Sequence, residues 1–291
     1  MEVQEALRRY IVQLAADGRS RHTIGQYRRH VEMLARWLKE EGKGDDVEEI
    51  GHEDLALFLS SAAATTSARG GPKKATSLNA MRTSLRTYFS YLHAAGYTAT
   101  NVARLVRRAR CGPSPPRGLS ADDQQRLLAA LAEGKGMEAR RDEALFGLQL
   151  GAGVRIGAAV ALDVGDVDLA AGTVLPRCQK NGTPAVSYLP GHVGDALAEY
   201  IGDRGTGPLF MSRQGRRITS RQAARRLAQW CERAKIRPIS PHALRHSCAQ
   251  RIYDRTRDLA MVKAVLHHRH LQSSLIYAQV NPRDVRAAVM A

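Results

Sequence analysis

Apolar residues in the first hundred positions recur at the three- and four-residue spacing typical of amphipathic helices. The first stripe of apolar residues stops at Asp17-Gly18, and a second begins just after Ser20, a residue type that caps helices. Shorter stripes predict helices at residues 52–59 and 77–95, on either side of a loop at 63–75 rich in Gly, Ala, Ser and Lys. The pattern predicts a small all-α module of four main helices.

A proline- and glycine-rich stretch, Cys111-Gly-Pro-Ser-Pro-Pro-Arg-Gly118, interrupts this pattern and cannot continue a helix. Beyond it, β-branched residues between Thr173 and Leu189 predict a small antiparallel hairpin. We therefore predict a mainly α fold with a small β-sheet, divided into residues 1–106, a basic linker at 107–118 and residues 119–291. Helices of the second part are predicted at 120–132 and 141–150 and from Val193, Ser220, His242, Leu259 and Ser274 onward.

The charge of the chain narrows the class of its partner. Its 291 residues carry a formal net charge of +16, and both halves hold more Lys and Arg than Asp and Glu. Such an excess favours a polyanionic partner, nucleic acid first and a membrane surface second. No apolar run is long enough to span a bilayer, and the cysteines form no CxxC pair, which argues against a zinc ribbon or a disulfide framework. We expect a cytoplasmic protein.

Groups able to act on a phosphodiester gather near the end of the sequence. His242-Ala-Leu-Arg245-His246 is followed by Leu266-His-His268 and then by Tyr277. An arginine offers a planar fork to two phosphate oxygens, and a tyrosine offers a nucleophile that would stay attached to the phosphate. The histidines at 242 and 246, one helical turn apart, could instead bind a metal. The metalloprotease pattern needs a glutamate where Ala243 stands, so zinc is disfavoured.

These motifs resemble those of the tyrosine recombinases, the integrase family that includes the Xer and Cre types. Gly153-Val-Arg155-Ile resembles the family's G-[LV]-R box, and the three segments near the C-terminus resemble its H-x-L-R-H, LGH and tyrosine boxes. Lys180 lies on the predicted hairpin, where the family keeps a catalytic lysine. The resemblance covers nearly the whole chain and implies that residues 119–291 form the catalytic domain of this family.

The resemblance also implies a role for each residue. The two arginines clamp the scissile phosphate, the tyrosine attacks it, and His242 assists the proton transfer. Lys180 protonates the departing 5′ oxygen, and His268 donates a hydrogen bond to the phosphate. The product is a 3′-phosphotyrosyl link, and no metal, ATP or other cofactor is required. The implied catalytic set is Arg155, Lys180, His242, Arg245, His268 and Tyr277.

The first half resembles the helical core-binding, SAM-like domain of the same family, notably at Ser20-Arg-His-Thr23 and Asn79-Ala-Met-Arg82-Thr-Ser-Leu-Arg86. The resemblance implies that both domains hold double-stranded DNA at a specific recombination site, that a homo-tetramer assembles for the reaction, and that no membrane is involved. The candidate DNA-contacting residues are Arg21, His22, Thr23, Lys73, Lys74, Arg82, Arg86, Arg107 and Arg108.

Two positions depart from the family pattern. Ala158 stands where an acidic residue usually supports the active-site cations, and His267 stands where glycine usually precedes the last histidine. Site-specific recombination is the activity we expect. The alternatives are strand relaxation by a type IB topoisomerase, a DNA-binding relative with weakened catalysis, for which Ala158 would be the reason, and a metal-dependent nuclease.

Overall fold

The computed structural model describes residues 1–68, 70–112, 118–176, 185–268 and 270–278. Contacts within the chain separate two compact units, Met1–Gly112 and Pro113–Ala291. Within the described ranges, no helix combines the length and the apolar character needed to cross a bilayer.

The first unit is all-helical, and its four main helices follow the hydrophobic periodicity. A further single-turn helix lies in the segment predicted as a loop at 63–75. Ser61 caps this turn, because its Oγ accepts a hydrogen bond from the Ala64 amide at 3.4 Å. The helices are α1 (Val3–Ala16), α2 (Arg21–Glu40), α3 (His52–Ser60), α4 (Ala62–Thr65) and α5 (Ala75–Ala94).

Aromatic side chains fill the centre of this unit. Tyr10 of α1 lies against the rings of Tyr27, Tyr88 and Tyr91, with centroid distances of 6.3, 5.5 and 5.1 Å. The buried Tyr88 hydroxyl donates to the Val3 carbonyl at 3.2 Å, so its polar atom keeps a partner. Ring pairs in such arrangements contribute about 0.5–1.5 kcal/mol each beyond the area they bury. They fasten α1 and α2 to α5.

The segment after α5 is held to that helix by the buried Asn79. Its Nδ2 donates to the Ala109 carbonyl at 2.8 Å, and its Oδ1 accepts from the Ala109 amide at 2.8 Å. This two-way bond is the pattern that a neighbouring strand would supply, so it fixes the backbone at that point. The first part of the predicted linker, with the exposed Arg107 and Arg108, therefore belongs to the first unit.

The second unit is built around a nearly all-buried helix, α7. Ala144, Leu145, Phe146 and Leu148 of this helix are fully buried, as expected of a helix that is apolar on most sides. Its neighbours are α6, α9, α10 and α11. The helices are α6 (Ala121–Ala132), α7 (Met137–Ala152), α8 (Ile156–Ala159), α9 (Gly191–Ile201), α10 (Ser220–Arg233), α11 (Pro241–Thr256) and α12 (Leu259–Val265).

The sheet has one strand more than the predicted hairpin. Strands β1 (Val167–Asp168), β2 (Thr173–Val174) and β3 (Ser187–Tyr188) pair antiparallel in the order β1-β2-β3. The prediction missed β1 because two residues are too short to show an alternating pattern. Lys180, on the connection between β2 and β3, lies outside the described residues. The fold-class prediction, mainly α with a small sheet, is confirmed.

A charged network near the start of α7 ties it to α10. The fully buried Asp142 carboxylate accepts hydrogen bonds from the Arg141 guanidinium, from Arg226 Nε at 2.6 Å and from Trp230 Nε1 at 2.9 Å. Burying a carboxylate is tolerated when its lone pairs are taken by charged and polar donors in this way. The network fixes the end of α7 remote from Gly153.

Candidate active site

The end of α7 positions Arg155. The helix stops at Gly153, which has φ +66°, a left-handed conformation that glycine adopts without steric penalty. Arg155 follows in extended conformation as the residue before α8. The buried Gln149 amide donates to the Val154 carbonyl at 3.3 Å and to the Pro241 carbonyl at 3.4 Å. This single side chain therefore links the Arg155 turn to the start of α11.

Helix α11 carries Arg245, the most buried cation of the site. Its side chain is about one turn from Pro241, whose fixed φ suits the first helical position. The two terminal guanidinium nitrogens of Arg245 donate to the carbonyls of Gly153 and Leu266. Arg245 is 3% exposed, and burial with the neighbouring Arg155 lowers its pKa to about 10. It remains a cation at neutral pH, held between the end of α7 and the end of α12.

Tyr277 lies against the same helix. It is on a 3₁₀ turn, Leu275–Ala278, where the sequence predicted an α-helix from Ser274 onward. Its ring is 4% exposed, and its hydroxyl is 2.6 Å from His246 Nδ1. The His246 ring in turn meets the His242 ring edge-on, with centroids 4.5 Å apart. Phenol and two imidazoles thus form a chain along one face of α11.

The turn after α12 presents the last pair of histidines. Hydrogen bonds from the His267 and His268 amides to the carbonyls of Ala264 and Lys263 close the end of the helix. His268 Nδ1 lies 2.9 Å from Ser274 Oγ, and His267 Nε2 lies 3.1 Å from the Oγ of Ser187 on β3. Both rings are therefore held by a hydroxyl.

Burial and the two arginines set the protonation of the site. Burial, with the charges of Arg245 and Arg155, lowers the pKa of His268 to about 4. Burial and the neighbouring His242 and Arg245 lower that of His246 to about 4. Burial raises the pKa of Tyr277 to about 12. The resting site thus holds a protonated phenol and neutral imidazoles beside two guanidinium cations.

Acid should destabilise the fold through these histidines. The folded-state pKa of His246 and of His268 is about 4, below the ordinary 6.5. The unfolded chain therefore binds their protons first, and the free energy of unfolding falls as pH drops from 6.5 towards 4. Urea unfolding at pH 7.5, 6.0 and 5.0 measures this. His268→Gln should flatten the pH dependence, because it removes one of these groups. A wild-type stability that does not change over this range contradicts the prediction.

The Gly153 turn should not tolerate a side chain. A Cβ there would lie 2.5 Å from Leu266 Cδ2 and 3.3 Å from Cys248 Sγ, in a left-handed backbone. Gly153→Ala should therefore lower the free energy of unfolding by about 2 kcal/mol or more. It should also displace Leu266, whose carbonyl holds Arg245. Urea titration measures the first effect, and Gly157→Ala is the control, since its Cβ would meet nothing within 4 Å. Equal stability of the two variants would contradict the prediction.

Five of the six predicted catalytic residues converge in the described part of the unit. Arg155, His242, Arg245, His268 and Tyr277 surround the ends of α7, α11 and α12. The sequence places His246 in the H-x-L-R-H motif, with metal binding as the alternative, but it does not pair this histidine with Tyr277. The sequence signal for this role was its position one helical turn after His242, which puts both rings on the same face of α11. Among the described residues, no group of three or more His, Cys, Asp or Glu side chains is arranged to hold a metal ion.

The candidate DNA-contacting residues of the first unit differ in their availability. Arg21 and His22 are exposed at the start of α2, and Lys74 and Arg86 are exposed on or beside α5. Lys73 is half-buried, and its Nζ donates to the Ala64 carbonyl at 2.7 Å. Thr23 is hydrogen-bonded to Ser20 Oγ, and Arg82 donates to Asn79 Oδ1. The remaining candidates, Arg107 and Arg108, are exposed.

Each of the two units resembles a known protein family in sequence. Residues 117–284 match the Phage integrase family, and residues 7–96 match the Phage integrase, N-terminal SAM-like domain. Tyrosine recombinase XerC of Chromobacterium violaceum is 30% identical over 96% of this chain and 91% of that protein. Tyrosine recombinase XerD of Ralstonia nicotianae is 28% identical over 97% of this chain and 92% of that protein.

Solved structures share the fold. The XerH site-specific recombinase bound to a palindromic difH substrate, in a post-cleavage complex, gives a TM-score of 0.75 at 20% identity, over 91% of this chain and 78% of that one. A lambda integrase (75–356) dimer bound to a COC′ core site gives 0.73 at 19% identity, over 93% and 96%. The chain belongs to the phage integrase family and is a tyrosine-type site-specific recombinase.

Proposed function

We propose that this chain cuts and rejoins double-stranded DNA at a specific site through Tyr277, in the integration, excision or resolution of a mobile element or a replicon dimer. The observation that carries the proposal is the 2.6 Å contact between the Tyr277 hydroxyl and His246 Nδ1. It brings a nucleophile, with a proton acceptor already in place, to the helix that holds Arg245. A nucleophile within hydrogen-bond reach of a base is the arrangement that covalent catalysis requires.

The two arginines would bind the scissile phosphate and stabilise the charge that develops on its oxygens. Arg245 is held by two carbonyls, so its guanidinium does not have to be ordered when the phosphate arrives. No other described residue accepts a hydrogen bond from the Arg155 side chain, and this guanidinium is therefore available to the phosphate.

In the cleavage step one bond to phosphorus forms as another breaks, and each proton that moves has a donor and an acceptor. The Tyr277 oxygen forms a bond to phosphorus as its proton passes to an imidazole nitrogen. The bond from phosphorus to the 5′ oxygen breaks, and that oxygen takes a proton, which we assign to Lys180 by its position in the sequence. His268, held by Ser274, would donate to a phosphate oxygen. Attack by a 5′ hydroxyl on the phosphotyrosine reverses the sequence and rejoins a strand. None of these steps calls for a metal or ATP.

We infer that His246 is the first acceptor of the Tyr277 proton. With Nε2 protonated, Nδ1 can accept from the phenol at 2.6 Å. The charge of Arg245 contributes to lowering the pKa of His246. A phosphate bound to that arginine offsets its charge and makes the imidazole a stronger base at the moment of attack. His242, in contact with the His246 ring, would support the imidazolium that forms.

The two histidines can be separated by experiment. His246→Gln should slow single-turnover cleavage more than His242→Gln, because it removes the group in contact with the phenol. Both variants should bind DNA as wild type does. A normal rate for His246→Gln together with a slow His242→Gln would assign the proton transfer to His242, as the family resemblance implied.

The first unit would provide contacts with DNA outside the active site. Exposed cations at the start of α2 and beside α5 suit the phosphate backbone, which dominates the affinity of basic proteins for DNA. Lys73 is less suited than Lys74, because its ammonium is already bonded to a carbonyl. Two duplexes must be cut on both strands, so we propose a tetramer of this chain on its sites. We place the reaction in the cytoplasm, with the DNA.

Covalent trapping tests the proposal. The full chain is incubated with a pool of randomised duplexes that carry a nick, so that cleavage releases a short fragment and rejoining is prevented. Complexes that survive SDS are recovered and their DNA is sequenced. Wild type should give such complexes, enriched for one sequence and formed equally well in EDTA. A yield no higher than that of Tyr277→Phe overturns the proposal, and loss in EDTA points to a metal-dependent nuclease.

The recovered sequence then separates recombination from relaxation. Supercoiled plasmids that carry two copies of it should yield recombinant circles. Relaxed plasmid without any recombinant product would indicate topoisomerase activity instead.

A further inference from the structure

His267 has a backbone conformation that residues other than glycine rarely adopt. Its φ is +49°, and it follows Leu266, the C-cap residue of α12. The His267 amide bonds to the Ala264 carbonyl and the His268 amide to the Lys263 carbonyl. This is the helix-ending motif that normally has glycine at its left-handed position. A histidine there is strained, and strain of this kind persists where surrounding contacts hold it and often marks a function.

The contact that holds His267 is to the sheet. Its Nε2 lies 3.1 Å from the Oγ of Ser187, on strand β3. Ser187 is 4% exposed, so its hydroxyl is almost out of reach of solvent and depends on such a partner. A glycine at position 267 has no side chain and could not make this contact.

The contact lies beside the arginine pair. Residues from four segments surround one small cavity: Arg155 and Ala158 after α7, Arg245 of α11, Ser187 of β3, and His267. Arg245 donates to the carbonyl of Leu266, the residue immediately before the strained position. The turn that supports Arg245 is thus the turn that His267 connects to β3. Ala158 and His267, the two departures from the family pattern, line this same cavity.

We propose that His267 is a positioning residue that latches β3 to the turn supporting Arg245, and so holds the phosphate clamp of the cleavage reaction in its working geometry. The inference rests on the proposed function and adds to it a residue that makes no chemical step itself. The latch is the His267–Ser187 hydrogen bond. Where other sequences would rely on an acidic side chain near Arg155, this chain has a small alanine and an additional imidazole at the same cavity.

The test uses the full chain and a nicked duplex carrying the sequence recovered by covalent trapping. His267→Gly, Ser187→Ala and the double variant are compared with wild type for single-turnover cleavage rate, DNA dissociation constant and melting temperature. Each single variant should cleave about 10-fold more slowly, because loosening a clamp by a fraction of an ångström costs rate rather than affinity. The double variant should be no slower than the slower single one, since both remove the same bond. A further variant, Ser187→Thr, keeps the hydroxyl and should cleave at the wild-type rate.

Stability separates a latch from a merely structural residue. His267→Gly relieves the left-handed strain as it removes the bond, so its melting temperature should stay at or above that of wild type while its cleavage rate falls. A melting temperature that falls together with the rate overturns the latch. So do wild-type rates in both single variants, or losses that multiply in the double variant. A wild-type chain that forms no adduct at all overturns the proposed function itself, which the trapping experiment decides first.

Discussion

Replacing Tyr277 by phenylalanine abolishes the covalent complex with DNA and leaves DNA binding almost unchanged. The change removes one oxygen from a ring that is 4% exposed and packs against Ala249, Val262 and Leu266. The ring, its packing and the charges that attract DNA all remain. Only the atom that would bond to phosphorus is lost.

The stability of this variant should change little. The hydroxyl gives up one hydrogen bond to His246, which costs about 1 kcal/mol when the partner is partly accessible. The measurement is the SDS-resistant adduct on the nicked duplex, together with the dissociation constant for the same DNA and the melting temperature.

Tyr253→Phe is the matched control for this experiment. Tyr253 lies on α11, is half-buried and packs on the same small cluster as Tyr277. Tyr253→Phe also loses a hydroxyl, but it should form the adduct at the wild-type level. An adduct formed by Tyr277→Phe at the rate of Tyr253→Phe would show that another residue is the nucleophile.

Replacing either arginine by lysine should lower the cleavage rate by about 100-fold or more, although the charge is kept. A guanidinium binds two phosphate oxygens with a planar fork, and an ammonium cannot reproduce that geometry. Removing one preorganised donor from a transition state typically costs 10²–10³ in rate, so about this loss is expected for each variant. Single-turnover cleavage of the nicked duplex measures it.

The two arginine variants should differ in stability. Arg245→Lys leaves the carbonyls of Gly153 and Leu266 without their guanidinium donors, and we expect the free energy of unfolding to fall by about 2 kcal/mol. Arg155→Lys disturbs no hydrogen bond between described residues and should unfold like wild type. The structure therefore predicts one variant that is slow and unstable and one that is slow and stable.

Arg251→Lys is the control for both variants. Arg251 is an exposed residue of α11, and its guanidinium donates to the Leu150 carbonyl at 2.7 Å. It should cleave at the wild-type rate. If Arg155→Lys or Arg245→Lys cleaves as fast as Arg251→Lys, the phosphate clamp is assigned to the wrong residues.

Much of the fold could be predicted because helices are encoded locally. A stripe at three- and four-residue spacing, a capping residue such as Ser20 and a stop such as Asp17-Gly18 all lie within a few positions of one another. The elements that were missed are short. They are the α4 turn, the β1 strand and the 3₁₀ turn at Tyr277, each with too few residues to show a period. Such short elements depend on contacts with residues distant in the sequence.

The order of the chemical groups was also readable from the sequence. Arg155, His242, Arg245, His268 and Tyr277 are recognisable from neighbouring residues, since each lies in a short motif. Their mutual contacts are another matter. Which of two histidines meets Tyr277 depends on how a 3₁₀ turn packs on α11, about thirty residues away in the chain. No local pattern encodes that distance.

The helical framework, the positive charge of both halves and the candidate reacting groups can be read from the sequence, because they depend on residue type and spacing. Three contacts become visible once the chain is folded: Gln149 joins the Arg155 turn to α11, His246 meets the phenol, and His267 reaches Ser187 from a left-handed turn. Each of these contacts links segments brought together by packing around α7. Hydrogen-bond partners across a core depend on the geometry of whole helices, which a single stretch of sequence does not contain.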